Sequence, residues 1–143
     1  MKIAIGSDHG GYNLKTEIVN YLSRTGHEVI DVGTNSAGES CDYPIYGKKV
    51  GELVSSKEAD YGVVVCTSGE GIMMAANKVK GVRAGLAYND DVARLMRQHN
   101  DANVIAFGAK YTSTSDALFR LDIFLNAEFE GGRHQRRVEL IEK

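Results

Sequence analysis

The feature that most constrains the fold is an alternation: five short apolar runs, each followed by a stretch with helical spacing. The runs are Lys2–Ser7 (KIAIGS), Glu28–Gly33 (EVIDVG), Tyr61–Cys66 (YGVVVC), Val82–Ala87 (VRAGLA) and Val104–Phe107 (VIAF). Most are rich in Val, Ile and Ala and apolar on both faces, so they read as parallel strands covered on two sides. Between them, Tyr12–Thr25 carries Leu14, Ile18, Tyr21 and Leu22 at helical spacing and stops at Gly26. Further helices are expected over Ile45–Ser56, behind the only proline, Pro44, and over Gly71–Lys80, Asp90–Asn100, Ser115–Asn126 and about Arg133–Lys143.

Strand–helix alternation at this spacing builds βαβ units in one sheet. The expected fold is α/β: a three-layer α/β/α sandwich, Rossmann-like, around a doubly wound five-stranded parallel sheet. The 143 residues suit one compact domain, 1–143, ending in an arginine-rich helix at about 131–143, with no repeat or linker dividing it. A net charge of −2 argues against a nucleic-acid coat or a binder of anionic membranes. Two cysteines, Cys41 and Cys66, are too few for a disulfide scaffold and point to a reducing compartment. The opening MKIAIGSDHGG has too short an apolar run for a signal peptide, and no stretch nears the roughly 18 apolar residues of a membrane span. A cytoplasmic protein is therefore expected.

In open α/β sheets ligands sit beyond the carboxyl ends of the strands. Ser7-Asp8-His9-Gly10-Gly11 follows the first run, a polar loop leading to Cys41-Asp42-Tyr43-Pro44 the second, Cys66-Thr67-Ser68-Gly69-Glu70-Gly71 the third, and Gly108-Ala109-Lys110 the fifth. The fourth helix ends in Arg97-Gln98-His99-Asn100-Asp101. Acid, imidazole, thiol, hydroxyl and amine are thus expected to collect on one rim.

Alone, Cys66 reads as a small buried hydrophobe ending a strand. The turn after it, however, leads into a helix whose first N–H groups are unpaired and favour a neighbouring anion. Gly69 and Gly71 would let backbone approach a ligand, and Thr67 or Ser68 would cap the helix or bond a substrate. The turn lacks the third glycine of a dinucleotide fingerprint and the lysine of a nucleotide P-loop. Ile72 stands where a cysteine phosphatase has arginine. His9 and His99 each stand beside Asp or Asn, and imidazole as a side-chain type suits proton transfer at a sugar ring oxygen. His27 and His134 look less pointed. Arg133 and Arg137 lie four apart on one helix face, behind a Gly131-Gly132 hinge and with Arg136 nearby. A solvated terminal helix is the plain reading of such a cluster, but guanidinium forks also suit phosphate oxygens. Asp8 would cap the first helix, accept from sugar hydroxyls, or both. Tyr43 would wall the pocket, and Cys41 reads as an incidental loop residue.

Together these pieces resemble the family of type B ribose-5-phosphate isomerases and galactose-6-phosphate isomerases. The resemblance covers nearly the whole chain and rests on GSDHGG, EVIDVGT, DYP, CTSGEGI, AANK, GVRA, RQHNDANVIAFG and EGGRHQRRVE, in that order. It implies an aldose–ketose isomerase working through a cis-enediolate, with no cofactor and no metal. Position by position, it makes Cys66 the base between C1 and C2 and His99 the acid/base of ring opening, with His9 and Asp8 close to the sugar. It makes Asn100 a substrate-binding amide, the 67–71 loop (Thr67, Ser68, Gly69, Glu70, Gly71) the enediolate cradle, and Arg133 and Arg137, with Lys110, the phosphate contacts. It also implies a homodimer, or a dimer of dimers, whose active site forms between subunits, so that His99 and the arginines serve a neighbour's Cys66. The family's turn usually reads Cys-Gly-Thr-Gly-x-Gly. Here Thr67 replaces the glycine, Ser68 the threonine, and Glu70 brings a charge. Lys110 stands where pentose enzymes often have arginine.

Ribose 5-phosphate is the expected substrate, because the SDHGG start and the GGRHQRR tail look like the pentose branch. A hexose 6-phosphate such as galactose or allose 6-phosphate is the alternative. A non-catalytic sugar-phosphate sensor would keep the arginines and dispense with Cys66. A signalling receiver domain would share the size, Asp8 and Lys110, but it needs an aspartate where Cys66 stands.

Overall fold

The computed structural model describes all residues, 1–143. Five parallel strands form one sheet: β1 (Lys2–Ser7), β2 (Glu28–Asp31), β3 (Tyr61–Cys66), β4 (Ala84–Leu86) and β5 (Val104–Gly108). Their order is β2-β1-β3-β5-β4, so the chain winds outward from the centre in both directions. The six helices are α1 (Tyr12–Arg24), α2 (Tyr43–Ser55), α3 (Glu70–Asn77), α4 (Asp90–Gln98), α5 (Thr114–Asn126) and α6 (Arg133–Glu142). A 3-10 turn, His9–Gly11, joins β1 to α1.

The apolar runs are strands because successive side chains feed two separate cores. Ile3, Ile5, Val63, Val65, Ile105 and Phe107 face α1, α4 and α5, meeting Leu14, Ile18, Met96, Leu121 and Phe124. Ala4, Val64, Val104 and Ala106 face α2 and α3, meeting Val50, Val54, Ile72 and Ala76. Each fully buried Val, Ile or Leu contributes about 1.5–3 kcal/mol relative to exposure. The result is the expected three-layer sandwich. No helix is long and apolar enough to cross a membrane.

Two strands fall short of their apolar runs. β4 keeps only three residues because it is the sheet edge, paired with β5 alone. β2, the other edge, ends at Asp31, whose carboxylate accepts the Gly33 N–H (2.9 Å) and turns the chain away. Lys15 on α1 is only 1% exposed and binds both Asp31 oxygens, at 2.7 and 2.9 Å, so α1 is pinned to the end of β2. The helix before the cysteine strand begins at Tyr43, with Pro44 in its first turn.

Candidate active site

β1 and β3 are neighbours, and the crevice beyond their carboxyl ends is the switch point of the sheet. Cys66, 5% exposed, closes β3 there. Gly69 takes a left-handed conformation (φ 82°) and directs its N–H onto the Cys66 sulfur at 3.2 Å. An amide so placed serves a sulfur that carries negative charge. Ser68 Oγ accepts the N–H of Glu70 at 3.2 Å, a bond within the turn, while the N-cap of α3 is Gly69, which brings no side-chain cap. Thr67 lies exposed, and its carbonyl accepts the Lys110 N–H at 3.1 Å, tying the turn to the end of β5.

Asp8 is buried and accepts the Gly11 N–H at 3.1 Å, the capping role, which occupies only Oδ1. His9 receives the backbone N–H of Cys41 on Nδ1 at 3.2 Å. That bond assigns the proton of the neutral ring to Nε2. Cys41 is therefore not incidental: its backbone fixes the tautomer of His9. A side chain at Gly10 would collide with Thr67 Oγ1, 2.2 Å from its Cβ position, so the β1 and β3 turns touch. Gly10, Asn13, Glu17, Thr67, Lys110 and Thr112 line a polar cavity of about 580 Å³ beside this contact.

One expectation needs correction, and at Gly69 and Gly71 the side a Cβ would occupy is taken by protein. A Cβ at Gly69 would lie 2.6 Å from Leu86 Cδ1, and one at Gly71 would lie 2.6 Å from the Tyr43 ring. These glycines let loops and α2 close on the turn, and Tyr43 is half-exposed against it. The correction concerns His99 and Asn100, which do not share the rim of Cys66. A crossover helix runs antiparallel to its strands, so the end of α4 lies at their amino ends. Asn103 bonds Gly62, the second residue of β3, whereas Cys66 pairs with Gly108 at the far end. About 13 Å of sheet separates the two levels, at roughly 3.3 Å per residue.

The predicted residues thus form two groups. Asp8, His9, Tyr43, Cys66, Thr67, Ser68, Gly69, Glu70, Gly71 and Lys110 belong to the carboxyl rim. His99 and Asn100 lie at the opposite end, with the base of α6 beside them. His134 of α6 is buried and stacks on His99, with centroids 4.3 Å apart and planes 9° apart. Arg133 and Arg137 on that helix are exposed. Glu130 lies 3.7 Å from His99 Nε2 and 3.6 Å from His134 Nε2. Burial holds the His134 imidazole below its ordinary value of 6.5, and His99, Arg133 and Arg137 add to this while Glu130 opposes it. Glu130 escaped the sequence reading and His134 was set aside in it, although their spacing of four would have marked them.

His99, Glu130 and His134 bring donors of the kinds a transition ion takes, within 4.8 Å of one another. Stacked rings, however, direct their Nε2 lone pairs side by side, and a tetrahedral site needs them to converge.

The ribose/galactose isomerase family model matches residues 3–141. Ribose-5-phosphate isomerase B of Escherichia coli strain K12 is 49% identical over 140 residues, 98% of this chain and 93% of that protein. The structure of Clostridium thermocellum ribose-5-phosphate isomerase B superposes with a TM-score of 0.98 at 54% identity, covering 99% of this chain and 95% of that one. The Mycoplasma genitalium enzyme, solved with bound ribulose-5-phosphate, gives a TM-score of 0.95 at 41% identity, covering 99% and 93%. A two-sided parallel sheet with a polar, cysteine-bearing switch point thus carries a matching sequence from end to end, and the chain belongs to the ribose/galactose isomerase family.

Proposed function

We propose that this isomerase interconverts ribose 5-phosphate and ribulose 5-phosphate at a site built from two subunits. The observation that carries the chemistry is the Cys66 sulfur, held at the end of β3 under the Gly69 amide. The pentose is supported by the relative bound to ribulose-5-phosphate and by the identity to the Escherichia coli enzyme.

Cys66, as thiolate, takes the proton from C2 of the open-chain aldose. The electron pair left behind forms an enediolate across C1 and C2. The proton returns to C1, and the O2 proton passes to O1, giving the ketose. Backbone N–H groups of the 67–71 turn meet the oxygens where charge develops, which is worth about 2.7–4 kcal/mol per donor in comparable sites. His99 of the second subunit exchanges a proton with the furanose ring oxygen, and Asn100 holds the sugar. Arg133 and Arg137 of that subunit, with Lys110 of the first, hold the phosphate.

The two-group geometry supports the subunit assignment. One chain carries the base at the carboxyl ends of the strands and the ring-opening histidine at the amino ends. A two-fold axis placing one end against the other completes two equivalent sites.

Ketose formation, followed over a panel of pentose and hexose phosphates, tests the substrate. Ribose 5-phosphate should turn over fastest, and a clear preference for a hexose 6-phosphate contradicts the assignment. Cys66→Ser should lower kcat by at least 10³-fold, on the order of the loss of a key catalytic group, with sugar-phosphate binding retained. Wild-type turnover in that variant removes Cys66 as the base.

A further inference from the structure

Glu130 stands in the segment joining α5 to α6 and has no part in the reaction described above. Its backbone N–H donates to the Gln98 carbonyl at 3.0 Å, fastening the segment to the last turn of α4. That bond brings one carboxylate oxygen, Oε1, between two imidazoles from two helices, 3.7 Å from His99 Nε2 and 3.6 Å from His134 Nε2. Both distances are in ion-pair range, and a shift of about 0.5 Å converts either to a hydrogen bond. His134 Nε2 is buried and without a hydrogen-bond partner. The His99 side chain is 36% exposed, so part of it remains free for a ligand.

We propose that Glu130 is a positioning residue for ring opening: its carboxylate holds the Nε2 proton of His99 and leaves Nδ1 to work on the sugar. The proposal rests on the reading of His99 as the ring-opening acid/base. A carboxylate at this range favours the charged imidazole and fixes which nitrogen carries the proton of the neutral one. His134 makes this selective. Two imidazoles stacked at 4.3 Å do not both carry charge. His134 is the poorer proton holder because it is buried and faces His99, Arg133 and Arg137. Arg97, in the last turn of α4 just before His99, is turned inward onto Asp101 and the Ala102 carbonyl, and Arg83 takes the other side of Asp101. That leaves the Glu130 carboxylate to His99, the part-exposed ring of the pair.

The test uses the full-length protein with Glu130→Gln and Glu130→Asp, read in two ways. In the first, kcat and KM for ribose 5-phosphate are measured across pH. Glu130→Gln should lower kcat about 10-fold, the low end for removing a partner that orients a working histidine, with KM changing less than about twofold. The pH profile of kcat should move to lower pH, the direction expected when an adjacent opposite charge is lost. Glu130→Asp should restore part of both. In the second, ¹⁵N NMR follows the His99 ring in the free protein. The wild type should show the Nε2-protonated form when neutral, and Glu130→Gln should show mixed forms. An unmoved pH profile and an unmoved tautomer in Glu130→Gln overturn the proposal, even if α6 loosens. A wild type inactive on every sugar phosphate would instead remove the function on which the proposal rests, and the NMR titration would still decide whether Glu130 controls His99.

Discussion

Gly69 is the residue on which the turn after β3 depends. Its φ of 82° is strained for any side chain, and a Cβ there would lie 2.6 Å from Leu86 and 2.9 Å from the Gly108 nitrogen. Gly69→Ala should cost about 1–3 kcal/mol, the range for a residue forced into the left-handed region against close neighbours. It should also lower kcat, because the amide on the Cys66 sulfur must move. Chemical denaturation and kinetics on one sample check both, and an alanine variant with wild-type stability and rate contradicts this account of the turn. At this scale the sequence was partly legible. The thiol, hydroxyl and glycines after the valine run marked the turn at the carboxyl end of β3, where the structure has it. They did not show that Tyr43 and Leu86 occupy the space the glycines leave, because such contacts come from distant segments. Cys41 was misread for the same reason: its contribution is a backbone N–H aimed at His9, which its residue type does not encode.

Among the elements, α6 is set apart from the three layers. It is held by the buried faces of His134 and Val138 and by the ion pair between Glu142 and Arg83 (3.1 Å). Docking buries His134 in its neutral form, below the ordinary histidine value of 6.5. The undocked helix therefore takes up a proton first as pH falls. The docking contribution is whole above 6.5 and declines as pH drops below it. Hydrogen exchange at the amides of residues 134–138 should accelerate between pH 7 and about 5.5 relative to the sheet, after correction for intrinsic rates. Equal protection at both values contradicts the docking role of the neutral ring. Central strands were legible to the residue, as β1 and β3 show, because continuous apolar runs buried on both faces have sharp ends. Edge strands were not: the VRAGLA run narrows to Ala84–Leu86 because only one side of it finds a partner. The end of α4 was assigned to the wrong rim because the residue list Arg-Gln-His-Asn-Asp carries no direction. Only tracing the crossover from β4 to β5 shows that His99 lies at the amino ends of the strands.

For the whole molecule, that displacement turns a list of reactive side chains into a proposal about assembly. The proposed base, Cys66, and the proposed ring-opening residue, His99, stand at opposite ends of one subunit. The central claim is that a complete site takes both ends, from two copies of the chain. Subunit complementation tests it most directly. Cys66→Ser and His99→Asn are each prepared as inactive proteins, mixed in equal amounts and allowed to exchange subunits. Random pairing makes half of the dimers mixed, and each mixed dimer has one site with both residues intact, so activity should rise to about a quarter of the wild-type value. Activity that stays at the level of the separate variants, with exchange verified by mass spectrometry, contradicts the shared site.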